Sequence, residues 1–174
     1  MVLTIAIIIL LLGVVFGIAA SKPNEFTVRR STRIRATPEK IFPLINDFHN
    51  WAAWSPWEKM DATMTKSFSG APSGRGAVYE WEGNSKVGKG RMEITDASAP
   101  RKVAIALDFI RPFRANNRTE FILEPQGDST DVSWTMHGAS PFVTKVMSVF
   151  MNMDKLIGRD FDAGLANMKA SAER

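Results

Sequence analysis

The stretch from Pro141 to Ala172 constrains the fold more than any other part of the chain. Phe142, Val146, Phe150, Met153, Ile157, Phe161, Leu165 and Met168 recur at steps of three and four residues, so one apolar stripe runs along a helix. Lys145, Asn152, Lys155, Arg159, Asp162 and Lys169 fall between them and form the wet face. Ser140 is the expected N-cap, with Pro141 in the first turn, where its missing N–H has no helical partner. At roughly 1.5 Å per residue the helix is about 45 Å long, enough to cross an entire sheet. Gly158 and Gly164, each costing about 1 kcal/mol relative to alanine, point to close backbone approach or a bend.

The partner for that stripe is a sheet. Glu25 to Arg35 alternates, with Phe26, Val28, Thr32 and Ile34 on one face and Thr27, Arg29, Arg33 and Arg35 on the other. Six further strands are predicted at Ala62 to Ser69, Ala77 to Glu82, Lys89 to Asp96, Arg101 to Phe109, Ala115 to Glu124 and Thr130 to Gly138. Short turns between successive strands imply an antiparallel sheet, and only the C-terminal helix is long enough to cover its apolar face. Between the first and second strands, Thr37-Pro38-Glu39 starts a short helix that turns Ile41, Phe42, Leu44 and Ile45 inward. Three tryptophans in seven residues follow, Trp51, Trp54 and Trp57, in a loop too aromatic to be fully solvated.

Val2 to Ala20 carries no charge and, as a helix, extends roughly 28 Å, close to the thickness of a bilayer core. A cleaved signal peptide is the competing reading, but there is no basic residue ahead of the apolar run, and the run is longer than a signal core. The expected division is therefore a transmembrane anchor over residues 1–21 and one folded domain over 22–174. Six basic and two acidic residues lie between Lys22 and Lys40, and the rest of the chain holds sixteen of each sign. This local excess favours a single-pass cell-membrane protein with its domain on the cytoplasmic side. Arg29, Arg33 and Arg35 are expected to form a membrane-facing stripe. It also removes support for general nucleic-acid binding.

The chain has no cysteine, which excludes disulfides, thiol nucleophiles and cysteine-based zinc sites. His49 and His137 are far apart and have no partner at metal-ligand spacing, so neither a metal nor a cofactor is expected. Gly83-Asn84-Ser85-Lys86-Val87-Gly88-Lys89 resembles a phosphate loop, but Gly90 follows where Ser or Thr should stand. The alternating Met92 to Thr95 after it marks a strand, so the segment reads as a hairpin connection. Asn117-Arg118-Thr119 matches a glycosylation sequon on a predicted strand and carries no weight. His137 falls on the outward side of its strand, and His49 beside Asp47 reads as local capping.

The order of one strand, two short helices, six strands and a long helix resembles the START-like or helix-grip superfamily, over Asn24 to the C-terminus. The runs Trp54-Ser55-Pro56-Trp57, Gly70-Ala71-Pro72-Ser73-Gly74, Tyr79-Glu80-Trp81-Glu82-Gly83-Asn84, Val87-Gly88-Lys89-Gly90 and Met153-Asp154-Lys155-Leu156-Ile157-Gly158 resemble its membrane-anchored bacterial branch, termed polyketide cyclase/dehydrase-like. The resemblance implies an α+β fold: a seven-stranded curved antiparallel sheet wrapped around a long C-terminal helix, with a cavity between them. It brings no catalytic residue with it.

The expected lining is Trp54, Trp57, Tyr79, Trp81, Phe109, Phe121, Trp134, Met136, Phe150, Met153 and Phe161, read as inward-facing or at the mouth. Spacing alone does not separate a lined pocket from a packed core, and part of the set must be core. The leading expectation is a binding module for a hydrophobic small molecule or lipid, held at a membrane. A cyclase- or dehydratase-type enzyme is the second; it needs a polar group aimed inward, with Glu80, Lys66 and His49 as candidates. A protein-interaction adaptor related to the chaperone activators is the third, and it predicts a filled core with an exposed apolar patch.

Overall fold

The seven predicted strands form, and their alternation sets the sheet. The computed structural model describes residues 1–174, the side chain of Val2 excepted. An apolar helix α1 (Val2–Ser21) precedes β1 (Glu25–Ile34), α2 (Pro38–Asn46) and two 3-10 turns, Phe48–Ala53 and Pro56–Lys59. Six strands follow: β2 (Thr65–Gly70), β3 (Ala77–Glu82), β4 (Lys89–Ser98), β5 (Lys102–Arg111), β6 (Ala115–Gln126) and β7 (Ser129–Ala139). The sheet order is β1-β7-β6-β5-β4-β3-β2, antiparallel throughout, with β1 closing onto β7. Strand β2 begins three residues later than alternation suggests. Asp61 holds the preceding residues in a turn, accepting from Thr63 N at 2.9 Å and Thr63 Oγ1 at 2.7 Å. Register shifts at Lys89/Gly90 and Ile94/Asp96 bend β4 and curve the sheet.

The predicted single C-terminal helix is two helices, α3 (Phe142–Phe150) and α4 (Met153–Ala172), with Met151 and Asn152 extended between them. The physical reason is Asn152, whose side chain accepts the Lys155 N–H at 2.9 Å and caps a new helix start. Ser140 is not the cap. It is buried and donates its N–H to Asn24 O at 2.7 Å as the last rung beside β1, so that Pro141 takes the cap position of α3. Only α4 lies in the grip of the sheet, where it packs on β1. Helix α3 turns the other way and packs on α1, with the Phe16 and Phe142 rings 5.8 Å apart and Lys22 Nζ donating to Ser148 O.

The sheet thus has two unlike ends. The register gathers Glu25, Ala139, Asn117, Phe109, Lys89 and Glu82 at the end where α1 and α3 attach, called the proximal end below. At the distal end, Ile34, Ile94, Val103, Ile105, Leu123 and Val132 are sealed against Ile41 and Ile45 of α2 and Leu165 and Met168 of α4. Strand β1 runs away from α1. At about 3.3 Å per residue, Arg33 lies roughly 25 Å up the strand from Glu25. It makes a two-pronged ion pair to Asp131 at 2.7 Å, and Arg35 lies by Glu173. The strand thus carries Arg33 and Arg35 of the expected stripe away from α1 and toward acidic partners, while Arg29 donates to Ser133 Oγ.

Candidate ligand-binding site

On β5 the inward row Val103, Ile105, Leu107 and Phe109 passes from fully buried to half-buried toward the proximal end. The same gradient divides the expected lining. Trp54, Phe121, Trp134 and Phe161 are sealed in the middle of the grip, at no more than 2% exposure. Trp134 stacks on Phe121 at 4.8 Å and on Phe161 at 3.9 Å, and meets Trp54 edge-on at 5.5 Å. The indole N–H groups of the buried tryptophans are engaged: Trp51 on Ile45 O at 3.0 Å, Trp54 on Leu44 O at 2.7 Å and Trp134 on Thr119 Oγ1 at 2.7 Å. Buried Met136 and Tyr79 extend this packed centre. Trp57, Trp81, Phe109 and Met153 remain half-buried: Trp57 lies edge-on to Trp134 at 5.8 Å, and Trp81 edge-on to Phe109 at 6.0 Å toward the proximal end. Phe150 is not inward-facing: it sits on α3 and is 74% exposed.

Toward the proximal end, the inner face of the sheet sets small residues between large ones. Gly90 pairs with Trp81 and Phe109, Ala115 with Phe109, and Asn117 with both Leu107 and Gly138. A Cβ at Gly90 would run into the Trp81 ring, and one at Gly138 would meet Asn117 Oδ1 and the Phe26 ring. These glycines let the flanking side chains lie across the strands. Asn117 Oδ1 is buried and has no hydrogen-bond partner among the described residues. An unpaired buried acceptor costs about 1–3 kcal/mol, so this atom calls for a donor. Asn117, dismissed above as part of a chance sequon, is inward by the same parity as Thr119 and Phe121, and that alternation was the signal for it.

The candidate acid–base groups are placed otherwise. Glu80 is exposed on the outer face, opposite in parity to Tyr79 and Trp81. Lys66 pairs in register with Trp81 on the inner face but binds Glu58, whose other oxygen accepts the Tyr79 hydroxyl at 2.6 Å. Burial first, then this bond to a carboxylate, pushes the Tyr79 hydroxyl well above its usual range, so it stays a protonated donor. Glu58 was not singled out from sequence, and both its oxygens are engaged in tying the second 3-10 turn to β2 and β3. His49 is exposed, with Nδ1 2.8 Å from Asp47 Oδ1 and its ring stacked on Phe68 at 4.2 Å. It faces a surface cleft of about 180 Å³ shared with Phe68 and Gly70–Pro72, not the grip. His137 points outward to Thr27 Oγ1 at 2.9 Å. Among the described residues, no group of three or more acidic, His or Cys side chains could hold a metal ion.

The family profile described as polyketide cyclase / dehydrase and lipid transport matches residues 25–173. The chain belongs to this family. No curated protein matches it. A solved protein of Chromobacterium violaceum superposes with a TM-score of 0.63 at 15% identity, covering 88% of this chain and 99% of that one. One of Nitrosospira multiformis gives 0.60 at 18% identity, covering 84% and 95%. The di-domain ARO/CYC protein BexL gives 0.66 at 12% identity, covering 91% of this chain and 53% of that chain. At these identities the likeness is one of fold: the polyketide cyclase-like helix-grip, with its seven strands curved over a C-terminal helix.

Proposed function

We propose that this member of the family binds a hydrophobic small molecule or a lipid at the proximal opening of the grip, tethered to a membrane by α1. The observation that carries the reading is the unpaired buried Asn117 Oδ1, on the inner face against Gly138 and opposite Leu107, at the end of the sheet where Trp81, Leu107 and Phe109 form a half-buried apolar rim. An apolar ligand with one hydroxyl or amide donor satisfies that acceptor and covers the rim together. The packed centre of Trp54, Phe121, Trp134 and Phe161 forms the floor of the site. Tyr79 and Met136, also of the expected lining, support that floor. Of helices with at least 18 residues, α1 has a 19-residue segment, Leu3–Ser21, apolar enough to span, with mean hydropathy 2.9 and 6% of it buried. That is consistent with the tether, and with a single-pass protein of the membrane-anchored branch.

Binding, rather than catalysis, is the reading favoured by the inner face, because its ionic groups among the described residues, the Glu58–Lys66 pair with Tyr79 and the Arg30 clamp on Asp154 and Asp162, are internally satisfied. Native mass spectrometry of the full chain released from detergent tests this. An apolar adduct should accompany the protein and be lost in Ala115→Phe, which fills the rim beside Phe109. A protein that emerges empty, and stays empty after incubation with a total lipid extract, overturns the reading.

A further inference from the structure

Helix α3 is built inside out. At 100° per residue its exposed side chains Phe142, Val143, Met147 and Phe150 share about 140° of arc. Thr144, Lys145 and Ser148 lie on the opposite side, where Lys145 is buried and donates to Asn24 Oδ1 at 2.7 Å. An amphipathic helix on a water-soluble domain turns its apolar face to the core. Here the polar face is held by the protein and the apolar face points out.

A second apolar tip stands at the same end of the sheet. Ile110 stands at the end of β5, and the β5–β6 turn carries Phe113, 75% exposed, between Arg111 and Arg114. Arg111 reaches Glu82, whereas Arg114 has no ion-pair partner among the described residues. Among the described residues outside α1, every exposed large apolar side chain except Met1 and Phe68 belongs to the proximal end or to the helices that leave it. Scattered exposed apolar residues need no explanation, but a set confined to the end that carries the apolar α1 does.

We propose that α3 and the β5–β6 turn form a second membrane contact, a platform lying in the headgroup layer of an anionic bilayer, with the opening of the grip facing lipid. The inference rests on the reading of α1 as a span. Three features select a bilayer as the occupant: the platform is continuous with α1 through the Phe16–Phe142 contact, its β5–β6 tip is flanked by Arg111 and Arg114, and its outward helix face is apolar throughout. Phe113 and Phe150 enter the boundary between headgroups and acyl chains, and Arg114 meets the phosphates.

The absence of cysteine makes a depth measurement direct. In the full chain, single replacements Phe113→Cys, Val143→Cys and Phe150→Cys carry a nitroxide, with Leu11→Cys in α1 and Gln126→Cys at the distal end as references. The protein is reconstituted in phosphatidylcholine vesicles containing phosphatidylglycerol, and relaxation by oxygen is compared with relaxation by a water-soluble nickel chelate. Oxygen should dominate at 113, 143 and 150, at an interfacial depth of about 5–10 Å. Nickel should dominate at 126, and Arg114→Glu should move the label at 113 toward water. If 11 lies deep while 113, 143 and 150 match 126, the platform is overturned and the span stands. If 11 also lies in water, the tether fails and the platform with it. Exclusion of both reagents at 143 and 150 would mean that protein covers α3, which also overturns the proposal.

Discussion

Trp134 of β7 and Phe161 of α4 lie face to face, ring centroids 3.9 Å apart and planes 6° from parallel. Gly164, one turn on, keeps that approach open, since a Cβ there would come within 3.0 Å of the Trp134 ring. The long helix is thus fixed to the sheet by stacked aromatics and not by a loose apolar stripe. Phe161→Ala should cost about 3–5 kcal/mol in denaturant unfolding, because the rings around the void cannot collapse into it. Phe150→Ala, at an exposed position of the former stripe, should change stability by less than about 0.5 kcal/mol. Equal losses at the two positions would contradict the division of the stripe between a core helix and an outward one.

Arg30 crosses directly over Gly158. Its guanidinium bonds the Asp154 carboxylate and carbonyl at 3.0 Å and reaches Asp162 at 3.4 Å, and a Cβ at residue 158 would run into it. Two opposing effects meet in Gly158→Ala: about 1 kcal/mol of helix propensity gained, and the clamp displaced. In an Arg30→Ala background only the gain remains, so Gly158→Ala should raise the unfolding midpoint there and raise it less, or lower it, in the parent chain. A double-mutant cycle reads the difference; additive effects would show that the contact does not constrain α4.

These two contacts also show what sequence could and could not reveal. The strands were legible because each has one apolar and one wet face, so period-two alternation placed six of the seven within a few residues and set the inward parity of Trp134. The break between α3 and α4 was not, because Asn152 falls on the polar face of a continuous helix and looks like a solvated residue there. Its role as a cap depends on one local hydrogen bond. Arg30 escaped notice because a charged side chain on the inner face of β1 violates the alternation, and only the helix crossing above the edge strand explains it. The outward apolar face of α3 was hidden by the same periodicity that predicted the stripe, since a helical period says which residues share a face but not which way that face is turned.

The ion pairs predict the acid limb of stability. The hydrogen bond from Arg30 holds the Asp154 carboxyl below its usual range, and that from Arg33 does the same for Asp131. A carboxylate lowered in the folded state stabilises above its unfolded pKa of about 3.9, and the contribution is lost as pH falls through the folded value. Thermal midpoints should therefore be flat from pH 7 to about pH 5 on account of these groups and fall below about pH 4. Arg30→Gln should flatten that fall. An unchanged acid limb in the variant would remove Asp154 from the account.

The β1–β7 sheet, α2 and α4 keep their main packing partners without α1, of which Ala19 alone among the described side chains is fully buried. A chain beginning at Lys22 should remain soluble in mild detergent and melt cooperatively. Amide exchange in α3 should rise toward the unstructured limit, because its outward face then meets water, while β5 to β7 stay protected. Aggregation without a cooperative transition would mean that the domain boundary is misplaced.

Orientation is the last prediction, and the structure changes its basis. Arg30, Arg33 and Arg35 lie near acidic partners in the folded domain, so they offer the bilayer little as a folded surface. Insertion, however, reads the nascent chain before those pairs exist, and the excess of basic residues from Lys22 to Lys40 then lies within reach of the end of α1. The domain is expected on the cytoplasmic side. Ser129 is buried at 8% exposure and would be a poor reporter, whereas Gln126 is exposed at the distal end, away from α1. In intact cells a cysteine at position 126 should resist a membrane-impermeant thiol reagent until lysis. Labelling before lysis would place the domain outside, and with it the opening of the grip and any ligand it takes from the bilayer.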